Sequence, residues 1–141
     1  MKITFNKGFP RYKMQAVNNA IGKASSFIKE KYPHISLDEV SINFSATRHG
    51  SYYYHSDASI NVSVRDEIIL YKKVTCELTT PPKGLMVGCE LQTTCAVIHE
   101  VTHYIQGLEK RKMSEVETTQ NEIDYLRVNE PFWFSKLIPL K

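Results

Sequence analysis

Cysteine is scarce and poorly spaced for cross-linking. Three occur, Cys76, Cys89 and Cys95, with no C-x-x-C pair. An odd number without paired spacing excludes a disulfide framework and a zinc ribbon, and leaves free, mostly buried thiols as the expectation. Cys89 falls near an expected helix start, where the positive end of the dipole would lower its pKa. Long apolar runs are missing as well. None approaches the roughly 18 residues of a membrane span, and residues 1–7 lack the apolar stretch of a signal peptide. The expectation is a chain that works in the cytoplasm without a membrane partner. Dense charge of one sign is also missing. The net charge is +3, with small basic clusters at Lys72-Lys73 and Lys110-Arg111-Lys112, whereas a nucleic-acid-binding face shows a denser stripe. No repeat, low-complexity segment or linker divides the chain, and 141 residues suit one domain spanning 1–141.

What is present reads as an alternation of helices and short strands. Residues 1–5 fit a short strand or a disordered start, broken by Gly8-Phe9-Pro10. Met14, Val17, Ala20 or Ile21, Ala24 and Phe27-Ile28 recur at helical spacing, which predicts a helix over 11–31 that stops before Pro33. Residues 40–45 and 58–64 alternate apolar and polar with period two, the pattern of half-buried strands. Residues 47–51 read as a turn and 52–55 as the start of another strand; 67–74 fit either a strand or a short helix. Pro81, Pro82 and Gly84 mark a loop. A helix over 89–108 and another over 114–128 follow. Ser114 is the expected N-cap of the latter, with Glu117 completing a capping box. Val116, Thr119, Ile123 and Leu126 form its expected inward face. The apolar tail, Phe132-Trp133-Phe134 and Leu137-Ile138-Pro139-Leu140, is expected to fold back on the core, with a partner-binding tail as the alternative. The order implies an α+β fold, with a small, mainly antiparallel sheet packed on helices.

The chemistry concentrates at His99-Glu100-Val101-Thr102-His103, an H-E-x-x-H pentapeptide. On a helix, residues four apart stand one above the other, so both imidazoles face the same way and can share a metal ion. Glu100 would then stand beside that metal, placed to take a proton from a bound water. Leu91, Ile98, Val101, Ile105 and Leu108 supply the apolar stripe, and the two histidines lie at its border. Gly107 is the expected helix stop. Catalytic zinc needs a third protein ligand. No His or Cys follows His103, so a downstream ligand must be a carboxylate: Glu109, Glu115, Glu117, Glu122, Asp124 or Glu130. The helix dipole and the capping box already account for Glu115 and Glu117. Glu122 sits mid-helix at the edge of an apolar face, where a carboxylate needs a compensating charge.

His99-Glu100-x-x-His103, followed nineteen positions later by Asn121-Glu122, resembles the gluzincin clan of zinc metallopeptidases, the thermolysin-like group, in its minimal single-domain form. The resemblance implies a zincin-like fold: an N-terminal helix, a small sheet, the H-E-x-x-H helix and a C-terminal helix bearing the third ligand. It implies zinc held by His99, His103 and Glu122, with Glu100 as general base acting on a protein or peptide substrate. The chain departs from the family at two points. Leu126 stands where an Asp orienting the first histidine is often found, and no histidine lies downstream to stabilise the oxyanion. Tyr125, Tyr104 and His55 are the candidates for that second role. Residues 58–64 are the candidate edge strand for an extended peptide. The rival expectation is a catalytically weak or silent zincin-fold protein acting as a binding or regulatory module.

Overall fold

The computed structural model describes residues 1–46, 51–54, 59–66 and 87–137. The expectations for the loop at 79–84, for 67–74, for His55, Cys76 and Lys72-Lys73, and for the tail beyond Leu137 fall outside those residues. The elements run β1 (Lys2–Phe5), α1 (Arg11–Lys31), β2 (Ser41–Ser45), β3 (Tyr52–Tyr54), β4 (Ser59–Ser63), α2 (Cys89–Leu108), α3 (Glu115–Asn129) and α4 (Pro131–Leu137). The fold is α+β.

The sheet order is β1-β2-β4-β3. β1 pairs parallel to β2 and β2 parallel to β4, while β3 alone is antiparallel, to β4. This corrects the expectation of a mainly antiparallel sheet. Period-two alternation reports which face of a strand is buried and says nothing of which way its neighbour runs. The direction comes from the crossover: the 21 residues of α1 carry the chain back to the end from which β1 started, so β2 sets off parallel to it. A second correction concerns β4. It lies between β2 and β3, so it is no edge strand; among the described residues the edges are β1 and β3, and β3 is the one that packs against α2.

β2 and β4 carry nearly the same pentapeptide, Ser-Ile-Asn-Phe-Ser and Ser-Ile-Asn-Val-Ser, aligned residue for residue. Their Ile42, Phe44, Ile60 and Val62 are buried in the core. Asn43 and Asn61 lie on the opposite face and join across the strands, with Asn43 Nδ2 donating to Asn61 Oδ1 at 3.0 Å and to Asn6 Oδ1 at 2.8 Å. Thr4 Oγ1 completes the row by donating to Asn43 Oδ1 at 2.9 Å.

Helix α1 buries Val17, Ala20, Ala24 and Ile28, most of the stripe expected from its spacing, with Met14 and Phe27 half-buried beside them, and its two buried alanines suit the close packing on α2. Helix α2 is the central element. Every residue from Leu91 to Gln106 except Ala96 is buried, so the polar members of that run depend on partners inside the protein, and Thr93 Oγ1 alone of these is buried without one among the described residues. The stripe ends before Leu108, which is half exposed. Gly107 is not the stop either. The helix continues through it, and a Cβ there would stand 2.9 Å from the Tyr53 hydroxyl, so glycine serves the approach of β3 to α2. The stop lies one turn later: Lys110 N–H donates to Gly107 O and Arg111 N–H to Gln106 O, the Schellman pattern, with Lys110 in the left-handed region at φ 54°.

Ser114 caps α3, its Oγ accepting from Glu117 N–H at 3.4 Å. Val116 is 48% exposed and does not belong to the inward face, which is formed instead by Thr118, Thr119, Asn121, Glu122, Ile123, Tyr125 and Leu126. The tail folds as α4, which buries Leu137 and leaves Phe132 exposed.

A residue with a Cβ pays about 1–2 kcal/mol for the left-handed conformation, and Lys110 holds the position that glycine usually takes. Lys110→Gly should therefore raise stability by about 1 kcal/mol and the thermal midpoint by roughly 3 °C. Calorimetry checks it; an unchanged or lower midpoint would mean that the lysine side chain contributes more than the strain costs.

Candidate metal centre

One turn of α2 places the rings of His99 and His103 with centroids 5.1 Å apart, both side chains buried. Their Nε2 atoms converge on a single carboxylate. Glu115 Oε2 lies 2.9 Å from His99 Nε2, and Glu115 Oε1 lies 2.9 Å from His103 Nε2. One ligand atom from each of the three residues falls within 4.8 Å of the others. The two Glu115 contacts are at hydrogen-bond length, and the three donor atoms lie close enough together to be candidates for a shared ion. Glu115 is the first residue of α3, and its side chain remains 47% exposed, which leaves the group open to solvent on that side.

The remaining ring nitrogens also face oxygens. His99 Nδ1 lies 3.0 Å from Glu122 Oε2, and His103 Nδ1 lies 3.0 Å from Gln106 Oε1. All four imidazole nitrogens therefore meet oxygen, yet a neutral imidazole has one N–H and one lone pair. Two neutral rings would set lone pair against lone pair. Either protons or a cation must lie between the Nε2 atoms and Glu115, and the donor set of two nitrogens and one carboxylate is one that zinc accepts.

Position decides what each carboxylate does. Glu122, expected as the third ligand, stands behind His99 at Nδ1 and is buried; the carboxylate that meets both Nε2 atoms is Glu115. An oxygen of Glu122 thus faces His99 Nδ1, while Leu126 is buried in the apolar core. Burial works against a charged His99, but its hydrogen bonds to the Glu115 and Glu122 carboxylates outweigh it and push its pKa up to about 10. The bond to His99 holds Glu115 down at about 2. Burial raises Glu122 and takes Glu100 up to about 7, with His99 opposing and the Glu115 and Glu122 charges adding to the rise. Glu100 itself is buried, next to His99 along α2.

Glu117 does not close a capping box. Its Oε1 accepts from Gln106 Nε2 at 2.8 Å and Arg111 NH1 at 2.8 Å, and its Oε2 from the Tyr32 hydroxyl at 2.9 Å and Arg111 NH2 at 3.2 Å. Ser114 N–H turns to Gln106 Oε1 instead, at 3.1 Å. Asn121 Nδ2 donates to the Tyr32 hydroxyl and to Thr102 Oγ1, so α1, α2 and α3 are tied together beside the histidines. Sequence reasoning passed over Gln106 altogether. The signal for it was its spacing, three residues after His103 on the same helix face.

The oxyanion candidates lie elsewhere or outside the described residues. Tyr104 is buried edge-on to Tyr53. Tyr125 meets Phe27 edge-on and lines an open cleft of about 1070 Å³ between α1 and the ends of α2 and α3, a cleft that includes none of His99, Glu100, His103 and Glu115. Cys89 also departs from expectation: it opens α2, but burial, with the Asp66 charge adding, raises its pKa rather than lowering it.

No family model matches the chain, and neither a curated protein nor a solved structure matches it.

Burial alone would raise Glu117, but hydrogen bonds from Arg111, Gln106 and Tyr32 outweigh it and hold the carboxyl at about 2, below its ordinary 4.5. A carboxyl depressed in the folded state contributes stability above its unfolded pKa and loses it as pH falls through the folded value. Urea midpoints should therefore decline between about pH 4.5 and 2, and Glu117→Gln should be less stable at neutral pH with a shallower decline. An unchanged slope in the variant would remove Glu117 from the acid response.

Proposed function

We propose that His99, His103 and Glu115 hold a zinc ion and that the chain is a zinc-dependent peptidase of the gluzincin type, with Glu100 as its general base. The observation that carries the reading is the convergence of two buried Nε2 atoms and one half-exposed carboxylate, with an oxygen behind each ring. Three protein ligands with an open side are the pattern of a catalytic rather than a structural zinc. When bound, zinc supplies Lewis acidity toward a water and a substrate carbonyl.

The protein's own residues supply the rest. Glu122 and Gln106 receive the Nδ1 protons of His99 and His103, which fixes the tautomer that leaves each Nε2 lone pair free. Glu100, adjacent to His99 on α2, would accept a proton from the attacking water and pass it to the leaving amine. The β3 edge beside α2 is where an extended peptide could add by main-chain hydrogen bonds. One consideration keeps a second reading, a zinc-holding module without general turnover: the described ring contacts of Tyr104 and Tyr125 are to Tyr53 and Phe27, and no oxyanion donor is assigned.

Glu115→Ala should abolish tight zinc binding, whereas Glu122→Ala should weaken it by about 10- to 100-fold. Chelator competition reads both, and a Glu115→Ala protein that binds like the wild type would refute the ligand set. Glu100→Gln should keep zinc and lose cleavage of a peptide library followed by mass spectrometry. A zinc-loaded wild type that cleaves nothing would favour the binding module.

A further inference from the structure

We propose that Gln106 and, behind it, Glu117 form a relay that positions His103, so that a carboxylate supports each metal-binding ring: Glu122 directly on His99, Glu117 through an amide on His103. The inference rests on the metal reading above.

Hydrogen bonding fixes which way the Gln106 amide points. Its Nε2 donates to Ser114 O at 3.1 Å and to Glu117 Oε1 at 2.8 Å, both of them acceptors only. Its Oε1 accepts from Ser114 N–H, which can only donate. A flipped amide would set its oxygen against two oxygens and its NH2 against an N–H. His103 Nδ1, 3.0 Å from Gln106 Oε1, must then carry its proton, and its lone pair falls on Nε2, facing Glu115.

Glu117 adds more than another contact. Gln106 is fully buried, where a hydrogen bond is strengthened by the low dielectric and by the polarisation of the next bond in a chain. A fixed negative charge on the NH2 side of the amide draws electron density toward Oε1 and strengthens the bond from His103 Nδ1–H. Two Arg111 nitrogens and the Tyr32 hydroxyl hold that carboxylate in place. The arrangement exceeds what helix capping needs, because Ser114 Oγ meets the N–H of Glu117 without its side chain.

The test is zinc affinity by chelator competition on wild type, Glu117→Gln, Gln106→Met and the double variant, together with the His103 Nδ1 proton resonance of the zinc-loaded, histidine-labelled proteins. Gln106→Met should weaken zinc binding about tenfold. Glu117→Gln should weaken it several-fold and shift the Nδ1 proton upfield. The double variant should be no weaker than Gln106→Met, because Glu117 acts through that side chain. If Glu117→Gln lowers only the melting temperature and leaves affinity and resonance unchanged, Glu117 is a structural brace and the relay is overturned. Independent, multiplying losses would overturn it as well. A wild type that takes up no zinc brings down the metal reading itself, an outcome distinguishable from either.

Discussion

The reach of the first residue of α3 to two rings on α2 is the contact on which the site depends. Glu115 brings a charge to two imidazoles that the core has stripped of water, and a short connection from Leu108 to Ser114 sets where it arrives. That connection is specified by backbone bonds: Lys110 N–H and Arg111 N–H close the end of α2, and Gln106 holds both the N–H and the carbonyl of Ser114. The side chain that anchors the turn is also the one that faces His103. Site geometry and helix connection are therefore one piece of structure.

Around it most of the polar interior of α2 finds partners, while Thr93 Oγ1 is buried without one among the described residues. Gln92 receives Arg65 N–H, Thr94 and Thr102 donate to carbonyls one turn back, and Asn121 joins Thr102 to Tyr32. Buried polar groups carry a desolvation cost that only such partners offset. A helix this polar could not occupy the centre of the molecule if α3 carried a plain apolar face like that of α1. Thr118, Asn121 and Glu122 on the inner face of α3 are buried and hydrogen-bonded in keeping with that requirement, whereas Thr119 Oγ1, also buried, has no partner among the described residues.

The helices were legible in the sequence because their apolar residues recur at a period that only a helix explains, and the histidine pair because a spacing of four has one helical meaning. Strand direction was not, since a buried-face pattern is the same in either orientation. Glu115 and Glu122 could not be told apart from spacing alone. Seven residues separate them, about two turns of one helix, so both lie on a similar face and the choice depends on how far α3 slides along α2. Glu115 also had an ordinary explanation at a helix start, which hid the other. Glu117 failed for the same reason: a capping box is a local pattern, and the tertiary partners Arg111, Gln106 and Tyr32 outcompeted it.

The matching pentapeptides of β2 and β4 carry a consequence for how the chain finds its arrangement. To β1 they offer nearly interchangeable docking rails, with the same serines, isoleucine and asparagine at the same steps. Discrimination falls on one position, where Phe44 has the bulk to meet Phe5 at 5.8 Å between ring centres and Val62 does not. Within the pentapeptides that aromatic is the one side chain by which the first strand can tell its two near-twin candidates apart.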